Sequence, residues 1–264
     1  MTAGGREPLP AALLGPRFGL AFALAVLLGW TVSFVWLLAS DLQAWSAPAL
    51  IVVVVLRALV QSGLFIVGHD AMHRTLLPGQ PRANDRLGQL VLTLYALLPW
   101  RRSRLNHRRH HRAPGGPLDP DFHGGNGMAG WFRRFLGAYL PWPRLLALVS
   151  TWCLLTFLLT ALGGCHWPQA ALRLLVAWIL PLLLSALQLF VVGTVLPHRR
   201  AEACGNRHRA ESLALPPWLS LLACYHFGYH WEHHEYPQVP WFGLAGVRRQ
   251  HLQQPQLPSI RLAR

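Results

Sequence analysis

The sequence predicts an all-α integral membrane protein, with about four transmembrane helices in two hairpins, further interfacial or re-entrant helices, and a cytoplasmic histidine-rich cap. Three observations predict it. Hydrophobic residues make up 53% of the 264-residue chain and charged residues only 13%, against roughly 25% charged in an ordinary soluble domain. Four apolar runs approach or exceed the ~20 residues needed to cross a bilayer. Ten of the 14 histidines crowd into short strings at the ends of those runs or in the segments between them.

Residues 1–17 are rich in Pro and Gly and read as a flexible N-terminal tail, residues 18–247 as one membrane domain, and residues 248–264 as a C-terminal tail. Phe18 to Ala39 is the first spanning run, and no cleavable signal peptide is evident in it. A polar turn around Asp41 and Gln43 leads to a second run, Pro48 to Gly68. Arg57 lies inside that run; a guanidinium is costly in lipid, so it must face protein, water or a headgroup. Leu87 to Pro99 is apolar but too short to span, which predicts a re-entrant or interfacial segment. Leu145–Leu162 and Leu172–Leu196 make a second hairpin, with a kink expected at Pro181. Leu213 to Cys224 contains Pro216 and Pro217 and reads as interfacial.

Charge sets the orientation. All 24 basic residues are Arg. The turns at 40–47 and 163–171 carry none, whereas twelve fall within 69–144 and Arg199, Arg200, Arg207 and Arg209 follow the last span. The positive-inside bias then places both termini and both long loops in the cytoplasm of a bacterial inner membrane. The net charge of +14 is accounted for in this way, without a nucleic-acid partner. Cys153, Cys165, Cys204 and Cys224 form no C-x-x-C pair, which excludes a zinc ribbon and argues against a disulfide framework.

The histidine strings are His69-Asp-Ala-Met-His73, His107-Arg-Arg-His110-His111, a single His198 after the last span, and His226-Phe-Gly-Tyr-His230-Trp-Glu-His233-His234-Glu. Spacings of three and four bring side chains to one side of a helix. An isolated H-x-x-x-H is as often structural as metal-binding, and a lone His198 is more often a cap or interfacial residue than a ligand. Three multi-histidine clusters on one membrane face are different, because so many imidazoles in one place would repel one another if protonated and suit cations if neutral. Imidazole binds zinc, copper, iron and nickel alike. Eight or nine ligands exceed a single zinc site and fit a dimetal cap with open positions. His123, His166, His208 and His251 have no partner at ligand spacing and read as surface or loop residues.

Acids number only ten, so their placement is informative. Asp70 lies within the first cluster, Asp119 and Asp121 follow the second, and Glu232 and Glu235 flank the third. Ligating histidines usually donate their other N–H to a carboxylate or carbonyl, and these five acids are assigned to that task. Asp119-Pro-Asp121 reads alternatively as a turn, and Glu235 as the partner of a neighbouring Arg.

The clusters together resemble the membrane fatty-acid desaturase and hydroxylase superfamily of non-haem di-iron enzymes. More narrowly, His69 to His73, Asp119-Pro-Asp121-Phe122, Leu187-Gln-Leu-Phe190 through Gly193 to Pro197-His198, and Tyr225-His-Phe-Gly-Tyr-His230 through His234-Glu-Tyr-Pro237 resemble bacterial-type β-carotene ketolases. The resemblance covers about Gly63 to Trp241. It implies His69, His73, His107, His110, His111, His198, His230, His233 and His234 as metal ligands, with His226 as ligand or neighbour. Some desaturases carry an Asn four residues before the histidine that His198 matches; here that position is Thr194.

The resemblance further implies two Fe²⁺ ions, O₂ as co-substrate, electrons from an external donor such as ferredoxin, and a carotenoid drawn sideways from the bilayer. The implied reaction oxidises the ring methylene at position 4 of β-carotene-type β-ionone rings to a ketone, giving echinenone and canthaxanthin. It proceeds by two hydroxylations and loss of water. Trp100, Trp131, Phe227, Tyr229, Trp231 and Trp241 line the carotenoid's passage or, more simply, form an interfacial aromatic belt. Alternatives are a carotenoid ring hydroxylase or acyl-lipid desaturase and, from another class, a histidine-rich metal transporter. The last is disfavoured because the histidines gather at span ends rather than deep within the spans.

Overall fold

The computed structural model describes residues 15–122, 127–201 and 205–253; His123 and Cys204 lie outside the described residues, as do most of both expected tails. The described residues are mainly helical: α1 (Pro16–Ala39), α2 (Ala47–His73), α3 (Pro81–Ala96), α4 (Trp100–Arg112), α5 (Gly127–Tyr139), α6 (Trp142–Gly163), α7 (Trp167–His198), α8 (Pro217–Cys224), α9 (His230–Glu235) and α10 (Leu244–Gln253). Four of these, α1, α2, α6 and α7, are long and apolar enough to cross a membrane. Their outward residues, among them Leu28, Ile51, Phe157 and Leu183, are exposed and apolar, as a lipid-facing surface requires. α1 packs on α2 and α6 on α7, giving two hairpins. The expected C-terminal tail begins inside α10, where Arg248 and His251 are buried.

α3 packs along α2, and a glycine sets how closely α4 follows it. A Cβ on Gly88 would lie 2.4 Å from the Trp100 ring, so only glycine lets the two helices close up there. At the far end of α3, the Tyr95 carbonyl accepts from Gln61 Nε2 at 2.6 Å and Trp178 Nε1 at 3.2 Å. Gln61 precedes His73 by twelve residues on α2, which is ~18 Å along the helix axis. The segment expected to be re-entrant therefore descends well into the bundle and turns back at Leu97, a left-handed residue. Side chains from two spans satisfy its Tyr95 carbonyl, as irregular backbone at membrane depth requires.

The kink expected at Pro181 takes the form of a widened turn. Proline has no N–H, so the carbonyl four residues earlier, Ala177, loses its helical partner. The helix winds as a π-turn over Leu175–Ile179, and Arg57 donates to the freed oxygen from Nε at 3.0 Å and Nη2 at 2.7 Å. Its remaining nitrogen reaches the Trp30 carbonyl at 2.9 Å and Ser33 Oγ at 2.7 Å. Arg57 is only 2% exposed and lies over the Trp30 ring, so the one charge inside the second run joins three spans. Replacing it (Arg57→Met) is expected to destabilise the fold by on the order of 3 kcal/mol, because buried carbonyls lose charge-assisted donors. Thermal unfolding of the detergent-solubilised protein measures this; an unchanged midpoint would show the clamp to be dispensable.

A second π-turn, Val191–Val195, precedes Pro197 in the same way. It brings Gly193 and Thr194 to the end of the bundle where α2 also terminates in His69 and His73. α4 and α9 close over that end.

Candidate metal centre

Each histidine is placed by a short local device. α2 ends at Arg74, left-handed at φ 61°, immediately after His73. α4 is amphipathic in an unusual sense: Ser103, Asn106, His107 and His110 are buried, while Arg101, Arg102, Arg108, Arg109 and Arg112 are exposed. α9 follows two consecutive left-handed residues, Tyr225 and His226, which reverse the chain after α8.

The rings sort into two adjacent groups. His69, His73, His107, His111 and His233 converge in one, and His110, His198, His230 and His234 in the other, with the ligand atoms of each within 4.8 Å of one another. In the first, Nε2 atoms approach at 2.6 Å (His73–His107), 2.9 Å (His111–His233) and 3.2 Å (His69–His233). In the second, His234 Nε2 lies 3.0 Å from both His110 and His230 Nε2. The groups touch where His111 stacks on His234 with centroids 4.2 Å apart. His226 joins neither and stacks instead on Tyr229 and Trp241.

These residues fit metal ions on their own chemistry. Burial, and then the neighbouring imidazoles, hold His107, His111, His230, His233 and His234 well below the usual histidine range, so they are neutral with a lone pair available. His110 feels the same desolvation, but Asp121 and Asp119 outweigh it and raise its affinity for a proton. Where it matters, the tautomer is held from outside. His110 Nδ1 donates to Asp119 at 3.0 Å, and His198 Nδ1 to the Arg209 carbonyl at 2.9 Å. Both rings therefore turn Nε2 inward, and His198 Nε2 is buried with no hydrogen-bond partner among the described residues. Converging neutral nitrogens cannot all satisfy one another, whereas a cation satisfies them together. The two groups, of five and four imidazoles, are compatible with two such cations.

The acids divide by what they touch. Asp119 binds His110 and also accepts from the Gly115 and Asp121 N–H groups at 2.7 and 2.9 Å, so it builds the turn and orients the ring at once. Asp121 Oδ2 lies 3.8 Å from His110 Nδ1. Asp70 is 3.7 Å from His69 Nδ1 and 3.4 Å from the Trp241 N–H. Glu232 points away from the rings, and Glu235 takes the alternative expected of it, as the partner of an Arg. Glu232 accepts from Ser212 and from Arg248 at 2.9 Å, tying α9 to α10 and to the segment before α8. Glu235 pairs with Arg207 at 2.7 Å and His208 at 2.8 Å. An acid beside a histidine in sequence points elsewhere when its helix turns it about 100° per residue.

Spacing left several participants unseen. His208 is buried with its ring 5.5 Å from that of His234, and His251 packs against Trp231; neither lies at ligand spacing from another histidine in the sequence. Of the six aromatics considered for a substrate passage, Phe227 borders the centre, its ring 4.5 Å from His69. Trp131 packs on Phe190 and donates to the Asp121 carbonyl at 2.6 Å. A cavity beside the histidines is lined by His69 and His107 from one group and His110 and His230 from the other. Phe65, Asp121, Phe135, Tyr139, Leu189, Gly193, Thr194 and Phe227 complete it. No periodicity singles out Tyr139, which arrives at the end of α5.

The chain belongs to the fatty acid desaturase family, whose sequence profile matches residues 43–262. Within that class it is 45% identical over 188 residues to a β-carotene ketolase of Paracoccus sp. (strain N81106 / MBIC 01143), covering 70% of this chain and 74% of the relative. It is 39% identical over 240 residues to the β-carotene ketolase of Paracoccus sp. (strain PC1), covering 87% and 92%. A zeaxanthin 4-ketolase of Chlamydomonas reinhardtii is 34% identical over 245 residues, covering 88% of this chain and 53% of that longer protein.

Proposed function

We propose that this protein is a β-carotene 4-ketolase that oxidises the ring methylene at position 4 of β-ionone rings, using two irons held by the nine histidines. The observation that carries the reading is the convergence of two histidine groups on one cavity with apolar walls, in a chain that resembles ketolases over most of its length. Bound iron supplies the O₂ activation and hydrogen abstraction that no side chain here could perform.

The chain's own residues do the rest. Asp119 keeps the His110 proton on Nδ1, and the Arg209 carbonyl does the same for His198. Phe65, Leu189 and Phe227 line a small space of about 30 Å³ beside the centre and exclude water from it, and a ring lying at its edge presents one carbon within reach. Each hydroxylation consumes one O₂, two electrons and two protons and releases one water. The second, at the same carbon, gives a geminal diol that loses water to leave the ketone.

Electrons come from a separate protein donor such as ferredoxin. An opening of about 490 Å³ lined by His73, His107, Arg108, His111 and Arg112 leads from the surface to the five-histidine group, and its arginines suit an acidic partner. The arginine distribution favours a centre on the cytoplasmic side of a bacterial inner membrane.

Expression in cells that accumulate β-carotene should yield echinenone and canthaxanthin on pigment chromatography. Hydroxylated rings alone would identify a ring hydroxylase. Zinc in the purified protein, with no O₂ consumed, would favour a metal transporter.

A further inference from the structure

The cavity beside the histidines has a volume of about 30 Å³, room for a hydroxyl group but not for the ring that carries it, and it is more polar than a hydrocarbon requires. β-Carotene offers no hydrogen-bonding group, and Phe65, Leu189 and Phe227 are walls suited to it. Yet three polar side chains, Asp121, Tyr139 and Thr194, also line the space. The Asp121 side chain is only 10% exposed, and its Oδ1 has no hydrogen-bond partner among the described residues. The Tyr139 hydroxyl faces the same carboxyl group. Thr151, Thr156 and Thr160 turn their hydroxyls back to the carbonyl four residues earlier, at 2.8–2.9 Å. Thr194 sits in the Val191–Val195 π-turn and shows no such bond among the described residues.

His110 does not account for Asp121, because Asp119 already takes that proton at 3.0 Å. Nor is Asp121 free to turn away. Its N–H donates to Asp119 and its carbonyl accepts from Trp131. A buried carboxyl oxygen left without a partner costs free energy that a bound donor recovers.

We infer that Asp121, Tyr139 and Thr194 form a hydroxyl-binding subsite that retains the half-oxidised ring for its second oxidation. This rests on the ketolase reading above. The first hydroxylation places an alcohol on the reacting carbon, and an alcohol both donates and accepts. It gives its proton to Asp121 Oδ1, whose carboxyl Tyr139 holds by a side-chain hydrogen bond, and accepts from the Thr194 hydroxyl. The hydrocarbon ring makes neither bond, and the finished ketone has lost the donor. The intermediate is therefore held more tightly than either substrate or product, and its fixed partners make the hold preorganised. Asp121, Tyr139 and Thr194 act here by positioning the ring.

The test compares wild type with Tyr139→Phe and Thr194→Val, each purified with its metal, quantified for iron and reconstituted in lipid nanodiscs with a reduced ferredoxin. β-Carotene and the 4-hydroxy carotenoid are supplied separately. Expected is a five- to tenfold rise in the share of oxidised rings released as alcohol, about the worth of one hydrogen bond. KM for the alcohol should rise relative to KM for β-carotene, at unchanged iron content. Equal losses on both substrates, with the released share as in wild type, would overturn the subsite while leaving the ketolase reading intact. No ketone from wild type on either substrate would remove both. Should Tyr139→Phe fail to accumulate in membranes, Thr194→Val carries the same comparison.

Discussion

Replacing His233 by Ala is expected to reduce ketone formation to background and to lower bound iron, while the protein still inserts in the membrane. His233 holds the five-histidine group together across three elements: its Nε2 meets His69 of α2 at 3.2 Å and His111 of α4 at 2.9 Å. Loss of a partner outside the ligand set typically costs ~10–100-fold in metal affinity or activity, and loss of a ring inside it should exceed that. The neighbouring His234 cannot substitute, because its Nε2 is turned to His110 and His230 in the other group. His110→Ala should be equally inactive for the complementary reason, since it removes the link between α4 and the four-histidine group. Insertion should survive in both, because the rings lie at the end of the bundle and the four spans do not depend on them for their apolar contacts. Pigment chromatography, iron content and membrane fractionation together check the result. Wild-type ketone from either variant would show that these rings are not ligands.

Asp119→Asn should give the next largest loss, on the order of 10–100-fold in activity and iron affinity, and Asp119→Ala a larger one. The carboxylate receives three donors: His110 Nδ1, the Gly115 N–H and the Asp121 N–H. Burial alone would raise its pKa, but His110 and these bonds hold it below the usual carboxylate range. It therefore stays ionised and fixes the His110 proton away from the metal. Asn keeps one acceptor for the turn but loses the charge that makes the bond to His110 strong. Alanine also releases residues 115–121 from the ring they orient. Iron titration of the purified variants measures the effect, and unchanged affinity in both would show that Asp119 serves only the turn.

Much of this was legible in the chain itself. Twenty-residue apolar runs declare spans because the bilayer fixes their length, and Leu87–Pro99 was too short for that reason. The structure shows how such a segment lives at depth, with Gln61 and Trp178 supplying donors to the Tyr95 carbonyl. Arg57 was recognisable as misplaced in lipid. That its partner is the carbonyl orphaned by Pro181, 124 residues later in the chain, was not recognisable, because nothing local joins the two. Glu232, which meets Arg248 rather than a ring, makes a related point: adjacency in sequence says little about direction around a helix.

The sequence by itself determined which helices could cross a membrane and which rings were free to gather at one end of them. Their sorting into five and four belongs to the tertiary structure. His107 with His111, and His230 with His234, are four apart and share a group, while His110 and His233, three from one of those partners, face the other group. A step of three residues and a step of four differ by about 100° around the axis, which spacing reads as one broad face. Only the angle at which α4 and α9 lie against α2 and α7 divides that face between the two groups. The same packing carried Tyr139, unmarked by any motif, to the edge of the cavity.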